Sequence, residues 1–271
     1  MISNMKNLKT ITVVALVIAV IFVALFAEFL TPQDPYYTDF VRSNMPPSPE
    51  NWLGTDSLGR DVFSRLILGT KASVLTSIAL VIITTVLGLI LGMTAGYFGG
   101  KIDIIIMRVV DTMLSFPDLI LALAIVGVFG NGLIPTMGAI IAVKWAKCAR
   151  LSRSLVMKIK TQDFLTCAMT NGTKRRKIIF SHILPNIMPQ IFVSASLEIG
   201  SMILMLSSLS FLGFGILPPT PEWGYMLNEA RADFLTAPYL IFAPGITILI
   251  VVIIFNLFGD SMRDVFDVRS I

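Results

Sequence analysis

Six apolar runs, each long enough to begin or fill a membrane-spanning helix, constrain the fold of this chain more than any other feature. A helix needs about 20 predominantly apolar residues to cross a bilayer core about 30 Å thick. Charged residues make up 14% of the chain, whereas soluble domains carry roughly 25%. The sequence therefore predicts an all-α integral membrane protein with six transmembrane helices, built on residues 10–26, 72–95, 117–129, 134–145, 187–212 and 239–258.

The first run, Thr10–Phe26, is compatible with an uncleaved span or with a signal peptide. The apolar region of a signal peptide has about 7–15 residues and ends in an A-x-A-like site. This run is longer and continues directly into Ala27, Glu28 and Phe29. These features favour an uncleaved first span.

The distribution of Lys and Arg predicts the side of the membrane on which each segment lies. Six spans place both termini on one side, and that side carries sixteen Lys and Arg residues against five on the other. Cytoplasmic segments are enriched in these residues. We therefore expect both termini and residues 163–186 to be cytoplasmic. Because the basic residues lie between membrane-spanning runs, they indicate orientation and not a nucleic-acid partner.

Two amphipathic segments flank the second span. Asp61–Leu68 follows a proline-rich, irregular stretch that begins at Thr31, and its apolar residues share one helical face. This pattern predicts a short interfacial helix that lies flat on the membrane. Lys101–Ser115 predicts either a membrane-surface helix or the wet end of a long span.

Glycine spacing in the second span predicts close helix packing. Gly88, Gly92 and Gly96 recur at every fourth residue, which lets another helix backbone approach. The nearby Gly99-Gly100-Lys101 fails the G-x-x-x-x-G-K-[ST] phosphate-loop pattern. We therefore expect this chain to bind neither ATP nor another cofactor itself.

The segment Asp163–Asn186 is the longest polar and basic stretch inside the chain. It contains the unbroken basic run Lys174–Lys177, and Pro185 and Pro189 predict an end to its helical pattern. A membrane protein that keeps about 25 residues of this character out of the bilayer presents them to the cytoplasm.

This segment resembles the cytoplasmic loop of bacterial ABC-importer permeases, whose pattern is EAA, three residues, Gly, nine residues, I-x-L-P. Gly172, Leu184 and Pro185 have the family's spacing, and Ala168 fills the second alanine position. The chain departs from the pattern at three positions, Thr166, Cys167 and His182.

Other blocks look like one permease subunit of the peptide and nickel importers. They are Leu53-Gly54-Thr55-Asp56, Gly59-Arg60-Asp61, Ser64-Arg65, Ser210-Phe211-Leu212-Gly213, Pro218-Pro219-Thr220-Pro221, Trp223-Gly224 and Asn256-Leu257-Phe258-Gly259-Asp260. The resemblance implies the type I ABC importer permease (MetI-like) fold. It divides the chain into residues 1–71, an N-terminal helix with an extracytoplasmic segment, and residues 72–271, a five-helix core with the coupling loop at 163–186.

The same resemblance implies partners and functional residues. In this family the loop forms a short coupling helix that docks on an ATPase subunit, so the candidate coupling residues are Ala168, Gly172, His182, Leu184 and Pro185. Two ATPase subunits would bind ATP and Mg, a second homologous permease would complete the channel, and an extracytoplasmic binding protein would deliver the cargo. Outward-facing candidates on the binding-protein side are Pro219, Glu222 and Trp223. The chain would be a multi-pass protein of the bacterial cytoplasmic membrane and not an enzyme.

The branch transports di- and oligopeptides, or nickel and related metal complexes. Lys144-Trp145, Leu197-Glu198-Ile199-Gly200 and Glu222-Trp223-Gly224 resemble the nickel subunits, which favours nickel or a nickel chelate. A di- or oligopeptide is the alternative cargo. A secondary transporter is an alternative class, but the sequence contains no internal repeat of the kind such transporters use.

Glu198 is the one carboxylate well inside a predicted span. It lies near the bilayer midplane, and Met202 and Met205 share its helical face. These three side chains are candidates for contacting a passing cation or the amine of a peptide; the alternative is ordinary packing. The sequence predicts no catalytic residues and no metal site, because the lone His182 has no Ser, Cys or metal-ligating partner at useful spacing.

Overall fold

The computed structural model describes residues 2–266, with side chains from residue 9 onward except that of residue 169. The end of the predicted polar tail, residues 267–271, lies outside this range. Between residues 2 and 266 the chain forms eleven α-helices and no β-strand. The helices are α1 (Ile2–Leu30), α2 (Val62–Thr70), α3 (Thr76–Phe98), α4 (Gly100–Leu114), α5 (Asp118–Phe129), α6 (Leu133–Lys160), α7 (Asp163–Thr170), α8 (Arg175–Lys177), α9 (Leu184–Phe211), α10 (Trp223–Glu229) and α11 (Tyr239–Phe266).

All six predicted apolar runs form helices, but they do not qualify equally as membrane spans. Four helices are long and apolar enough to cross a membrane, namely residues 9–30, 62–98, 175–211 and 239–266. A fifth span results if α4 and α5 are counted together, although they are bent by 94° relative to each other. The remaining helix, α6, has 28 residues, and its second half is rich in Lys and Arg.

Close contacts between backbones show that α3 and α6 run parallel. A Cβ atom on Gly88 would lie 2.6 Å from the carbonyl oxygen of Trp145, and one on Gly92 would lie 2.2 Å from that of Ala149. The predicted glycine row is therefore confirmed as a packing seam, because a larger side chain at either position would collide with the backbone of α6.

The later helices alternate in direction. Helix α9 runs antiparallel to α6, since the hydroxyl of Thr136 at one end of α6 donates to the carbonyl of Phe214, beyond the C-terminus of α9. At the other end, Ile183 and Ile187 share a buried cluster with Val156. Helix α11 packs antiparallel against α9. The long helices thus pass up and down through one layer, as repeated membrane crossings require.

The predicted flat interfacial helix is wrong. Helix α2 continues through a π-helical turn, Lys71–Leu75, directly into α3, so residues 62–98 form one helix. Val62 and Leu66 are buried in a cluster with Trp223 of α10. Amphipathicity alone could not distinguish a face that meets protein from one that meets lipid. The division between residues 71 and 72 falls inside this continuous helix.

The prolines do not end the central helix as predicted. Helix α8 passes through a second π-helical turn, Ile178–Ile183, into α9. Pro185 is the second residue of α9, which directly follows this turn. Pro189 lies inside α9. Membrane helices tolerate such prolines, because neighbouring groups satisfy the freed carbonyl.

Helix α4 accounts for the predicted amphipathic segment near residues 101–115. Its bend of 94° from α5 makes it a separate element and not the straight end of a span. Asp103 accepts two hydrogen bonds from Arg153 of α6, at 2.5 and 2.6 Å, and Asp111 accepts one from Arg150 at 2.5 Å. These contacts fix α4 across the basic half of α6.

Candidate functional site

Gly172 ends the short helix α7 in the central segment. Its φ of +72° lies in the left-handed region that favours glycine. The N–H of Thr173 donates to the carbonyl of Ala168 at 3.1 Å, which is the six-residue closure of a Schellman helix end. A Cβ added to Gly172 would meet nothing within 4 Å. The position therefore requires glycine for its backbone conformation and not for space.

The five candidate coupling residues lie on both sides of this turn. Ala168 is on α7, whereas His182 and Leu184 lie on the π-helical turn and the start of α9. The ring centroids of Phe164 and His182 are 6.5 Å apart, so α7 folds back beside the start of α9. Pro185 is exposed and Leu184 is half-buried.

Leu165 anchors α7 to the rest of the molecule. Its side chain is fully buried in the cluster that contains Ile159, Ile178 and Ile183. Phe164, Thr166 and Cys167 on the other faces of α7 are exposed. Helix α7 is thus a short helix that is packed against the protein through Leu165 and has an exposed face that a partner protein can contact.

Four charged side chains from three helices, Glu198 among them, lie together. We call them the midplane cluster (Asp118, Lys144, Lys147 and Glu198). The ammonium nitrogen of Lys144 lies 3.1 Å from Glu198 Oε1 and 2.9 Å from Asp118 Oδ2. The ammonium nitrogen of Lys147 lies 3.0 Å from Glu198 Oε2. The two lysines and two carboxylates balance in charge.

The depth of this cluster follows from the parallel packing of α3 and α6. Lys71 and Lys101 are the charged residues that flank the apolar part of the long helix, and Thr85 lies close to midway between them. The sulfur of Cys148, one residue after Lys147, is 3.5 Å from the carbonyl oxygen of Thr85. The cluster therefore lies near the bilayer midplane. Lys144 does not extend to the membrane surface, because it is paired inside the protein.

Exposure differs sharply within the cluster. Lys144 and Glu198 have exposed side-chain fractions of 11% and 17%, whereas those of Asp118 and Lys147 are 43% and 68%. A charged side chain at the centre of a bilayer costs about 2.5–3.5 kcal/mol on insertion scales, so such residues face protein or water. The exposed side of the cluster therefore faces a partner protein or a water-filled passage.

Met202 and Met205 lie on the same face of α9 as Glu198, as predicted. Both are buried in an apolar cluster with Leu80 of α3 and Ile140 of α6. Their sulfur atoms are therefore closed off from any passage in this conformation. The charged partners Asp118 and Lys147 were missed by the sequence analysis, which had no means of pairing residues 51 to 80 positions away from Glu198.

A wide apolar groove lies along the second half of α9, beyond Glu198. It has a volume of about 570 Å³ and is bounded by α5, α9, α10 and α11. Leu119, Phe211 and Leu227 are among its lining residues, and none of the four residues of the midplane cluster lines it. The hydroxyls of Ser207 and Ser208 are on the α9 wall of the groove. The groove is open on one side along this chain.

A second ionic network lies at the helix ends opposite α7, on the side expected to be extracytoplasmic; we call it the outer network (Asp56, Arg60, Arg65 and Glu229). Arg60 contacts Asp56 at 2.7 Å and Glu229 at 2.9 Å. Arg65 contacts Glu229 at 2.8 Å and Asp56 at 3.4 Å. Burial lowers the pKa of Arg60, but attraction to Asp56 and Glu229 outweighs burial and raises it above its usual value. The network joins the loop before α2 to the end of α10.

Two of the outward-facing candidates are not on the surface. Glu222 and Trp223 are fully buried, so their side chains are not available to a binding protein in this conformation. Glu222 accepts hydrogen bonds from the N–H groups of Gly224 and Tyr225 at the start of α10, and from the hydroxyl of Ser73. Burial raises the pKa of Glu222, although these donors oppose the rise. Pro219, the third candidate, is exposed.

The structure offers no prepared metal site among the residues it describes. No three His, Cys, Asp or Glu side chains between residues 9 and 266 are grouped so as to hold a metal ion. Both carboxylates of the midplane cluster are already paired with lysines.

Long apolar helices packed side by side, an apolar groove, a charged cluster between helices and a short helix presented at one end are features expected of a membrane permease. Residues 86–270 match the family described as "Binding-protein-dependent transport system inner membrane component". The chain belongs to this family, and it is the permease subunit of an ABC importer.

Several curated proteins are similar over 90% of this chain. The glutathione transport system permease protein GsiD of Pectobacterium atrosepticum is 42% identical over 246 residues and is covered to 82% of its length. The nickel transport system permease protein NikC of Escherichia coli K12 is 39% identical over 245 residues, with 88% covered. The dipeptide transport system permease protein DppC of Alkalihalophilus pseudofirmus is 40% identical over 245 residues, with 81% covered.

Solved structures share the fold at much lower sequence identity. The inward-facing MetNI methionine ABC transporter matches with a TM-score of 0.54 and 15% identity, covering 72% of this chain and 94% of that chain. An amino acid ABC transporter crystallised with histidines matches with a TM-score of 0.53 and 18% identity, covering 76% and 94%. The predicted type I importer permease fold is thereby confirmed.

Proposed function

We propose that this permease carries a carboxylate-bearing cargo, either a nickel chelate or a short peptide, past the midplane cluster. The observation that carries the proposal is the side chain of Lys147, which is exposed at mid-depth while its ammonium group pairs with Glu198. An arriving carboxylate can replace Glu198 at Lys147, and the freed carboxylate can accept the amine of a peptide. The exchange at Lys147 conserves the number of ion pairs, and binding of the amine by Glu198 adds one.

The same geometry disfavours bare Ni²⁺ as the species that contacts the cluster. A divalent cation next to Lys144 and Lys147 would be repelled, and both carboxylates would have to give up their lysines. A chelate whose ligands carry negative charge avoids this repulsion. Relatives named for nickel, glutathione and dipeptides are consistent with either form of cargo.

The assembly proposed for this chain contains a second homologous permease, two ATPase subunits that bind ATP and Mg, and an extracytoplasmic binding protein. The second permease would close the open side of the groove next to Leu119 and Phe211. Both termini and α7 would face the cytoplasm, where the exposed face of α7 meets an ATPase subunit. The chain itself would have no ATPase activity.

The direct test is uptake into proteoliposomes that contain the complete complex with its binding protein. The cargoes are Ni²⁺ alone, Ni²⁺ with excess histidine, and dialanine. Transport of one of the two carboxylate-bearing forms, with no transport of Ni²⁺ alone, is the expected result. Uptake of Ni²⁺ in the absence of any chelator would contradict the proposed cargo class, and ATP hydrolysis by the purified chain alone would contradict the proposed assembly.

Gly172 provides the test of coupling. We expect Gly172→Val to abolish transport while leaving insertion and expression intact, because a β-branched residue at φ +72° costs about 1–2 kcal/mol or more and disturbs the end of α7. Gly127→Val is a matched control, since Gly127 also has open space around it but no positive φ. Normal uptake by Gly172→Val would remove the coupling role.

The orientation is tested separately by labelling. Cysteines introduced at Ser57 and Thr220 should react with an impermeant thiol reagent added from outside the cell, whereas Cys167 on α7 should react only after the membrane is opened. The opposite pattern would invert the proposed topology without affecting the cargo experiment.

A further inference from the structure

A second apolar groove lies between α3 and the start of α9, away from the groove next to Leu119. It has a volume of about 270 Å³. Its walls are formed by Leu89, Ile90, Met93, Thr94 and Phe98 of α3 and by Ile179, Phe180 and Leu184. The one polar group, the hydroxyl of Thr94, donates to the carbonyl of Ile90 at 2.7 Å in its own helix. The groove therefore offers hydrocarbon contacts only.

The length of this groove matches one leaflet of a bilayer. From Leu89 to Phe98 the helix advances nine residues, or about 14 Å at 1.5 Å per residue. Half of a bilayer core is about 15 Å thick. The groove begins near the level of the midplane cluster and ends at the foot of α3, just before Gly99. An extended acyl chain in that leaflet would run along its whole length.

A basic run, Lys174–Lys177, immediately precedes the groove residues Ile179 and Phe180 in the chain. The guanidinium carbon of Arg176 lies 6.0 Å from the ring centroid of Phe180, which is itself a groove residue. Lys174, Arg175, Arg176 and Lys177 are all exposed. In the part of the chain that the structure describes, none of these four forms an ion pair, whereas the basic residues of α6 next to α4 do.

We propose that this groove binds one acyl chain of an anionic phospholipid, whose phosphate group is held by Arg176 and its basic neighbours. Basic pockets between membrane helices on the cytoplasmic side bind anionic head groups, and that leaflet is the negatively charged one. The apolar groove matches the acyl chain in length, and the cations beside it match the charge of the phosphate group. The proposal uses the orientation given above, in which the central segment faces the cytoplasm.

The lipid would contact both α3 and the π-helical turn Ile178–Ile183. That turn connects the central segment to α9, on which Glu198 lies. A bound lipid would therefore stabilise the connection between the coupling segment and α9, the helix on which Glu198 lies.

The test is native mass spectrometry of the purified full-length chain in detergent, titrated with phosphatidylglycerol and, separately, with phosphatidylcholine. We expect phosphatidylglycerol to bind preferentially. R176Q should weaken its binding about fivefold, the effect of removing one cation near a membrane surface. K158Q is the matched control. It removes an exposed cation near the C-terminal end of α6 that does not line the groove, and it should leave binding unchanged.

A second variant tests the apolar half of the site. I90W places a large side chain in the groove and should reduce binding of both lipids while the protein remains monodisperse. Equal binding of the two lipids, or an R176Q protein that binds phosphatidylglycerol like the wild type, would overturn the proposal. In the assembled complex, a cysteine at Thr94 that cross-links to a partner subunit would also overturn it, because protein would then occupy the groove. Binding in detergent does not depend on orientation or cargo, so this outcome is independent of the transport experiments.

Discussion

The outer network and the midplane cluster are built from the same kinds of side chain, two cations and two carboxylates, but water reaches them very differently. In the outer network, the side chains of Arg60 and Arg65 are 5% and 2% exposed, and each contacts two carboxylates. In the midplane cluster, Lys147 is 68% exposed and has one partner. The closed arrangement holds the fold together, whereas the open one has a face on which its partners can be exchanged.

Arg65 gives the largest expected effect. Arg65→Met removes one partner from a buried ionic network and leaves carboxylate charge uncompensated, which typically costs about 3–5 kcal/mol. The midpoint of unfolding in detergent, compared with that of the wild type, measures the loss of stability. Arg42→Met is the control, because Arg42 pairs with Glu50 at an exposed site and should change stability by less than about 1 kcal/mol. Similar effects of the two substitutions would show that the outer network is not a structural clamp.

Substitutions at Lys147 and Glu198 should lower transport. Lys147→Gln is expected to lower uptake about tenfold or more in the complete complex, with ATPase activity retained and stability changed by less than about 1 kcal/mol. Glu198→Gln, which keeps shape but removes the charge, should also lower uptake with ATPase activity retained. Lys158→Gln on the same helix serves as control. Unchanged uptake in both midplane variants would rule out a required charge there.

Glu222 gives the smallest expected effect, one of pH. Burial raises its pKa in the folded protein above the unfolded value of about 4.3. The folded state then keeps a proton that the unfolded chain has released, so this group's contribution to stability falls as pH rises from about 4.3 through the raised pKa. Melting temperatures between pH 4 and 8 should therefore decline with pH in the wild type relative to Glu222→Gln. Parallel curves would mean that the donors at Gly224 and Tyr225 cancel the effect of burial.

Sequence patterns predicted the parts of this molecule that depend on local chemistry. The apolar runs and the glycine row are both local properties, and the structure contains each of them. Glu198 could be singled out because a carboxylate inside an apolar run is unusual in itself.

The missed features depend on which elements meet in space. Asp118 and Lys147 reach Glu198 from α5 and α6, so their role follows only from the packing of three helices. Glu222 and Trp223 look like loop residues in the sequence, but the turn Lys71–Leu75 brings Ser73 against them and buries both. Pro185 predicts a helix end, yet a preceding π-helical turn allows the helix to continue.

The glycine row packs α3 and α6 tightly against each other along most of the length of α3. The two backbones are so close at Gly92 that a Cβ there would lie 2.2 Å from the carbonyl oxygen of Ala149, and Lys160 of α6 donates to the carbonyls of Gly96 and Tyr97 of α3 at 3.3 and 2.9 Å. Helix α6 leads directly into α7, and Lys144 lies sixteen residues, or about 24 Å, up its length. In the proposed assembly, a movement of α7 would be passed along α6 to Lys144 and Lys147, whose ion pairs with Asp118 and Glu198 join α6 to α5 and α9.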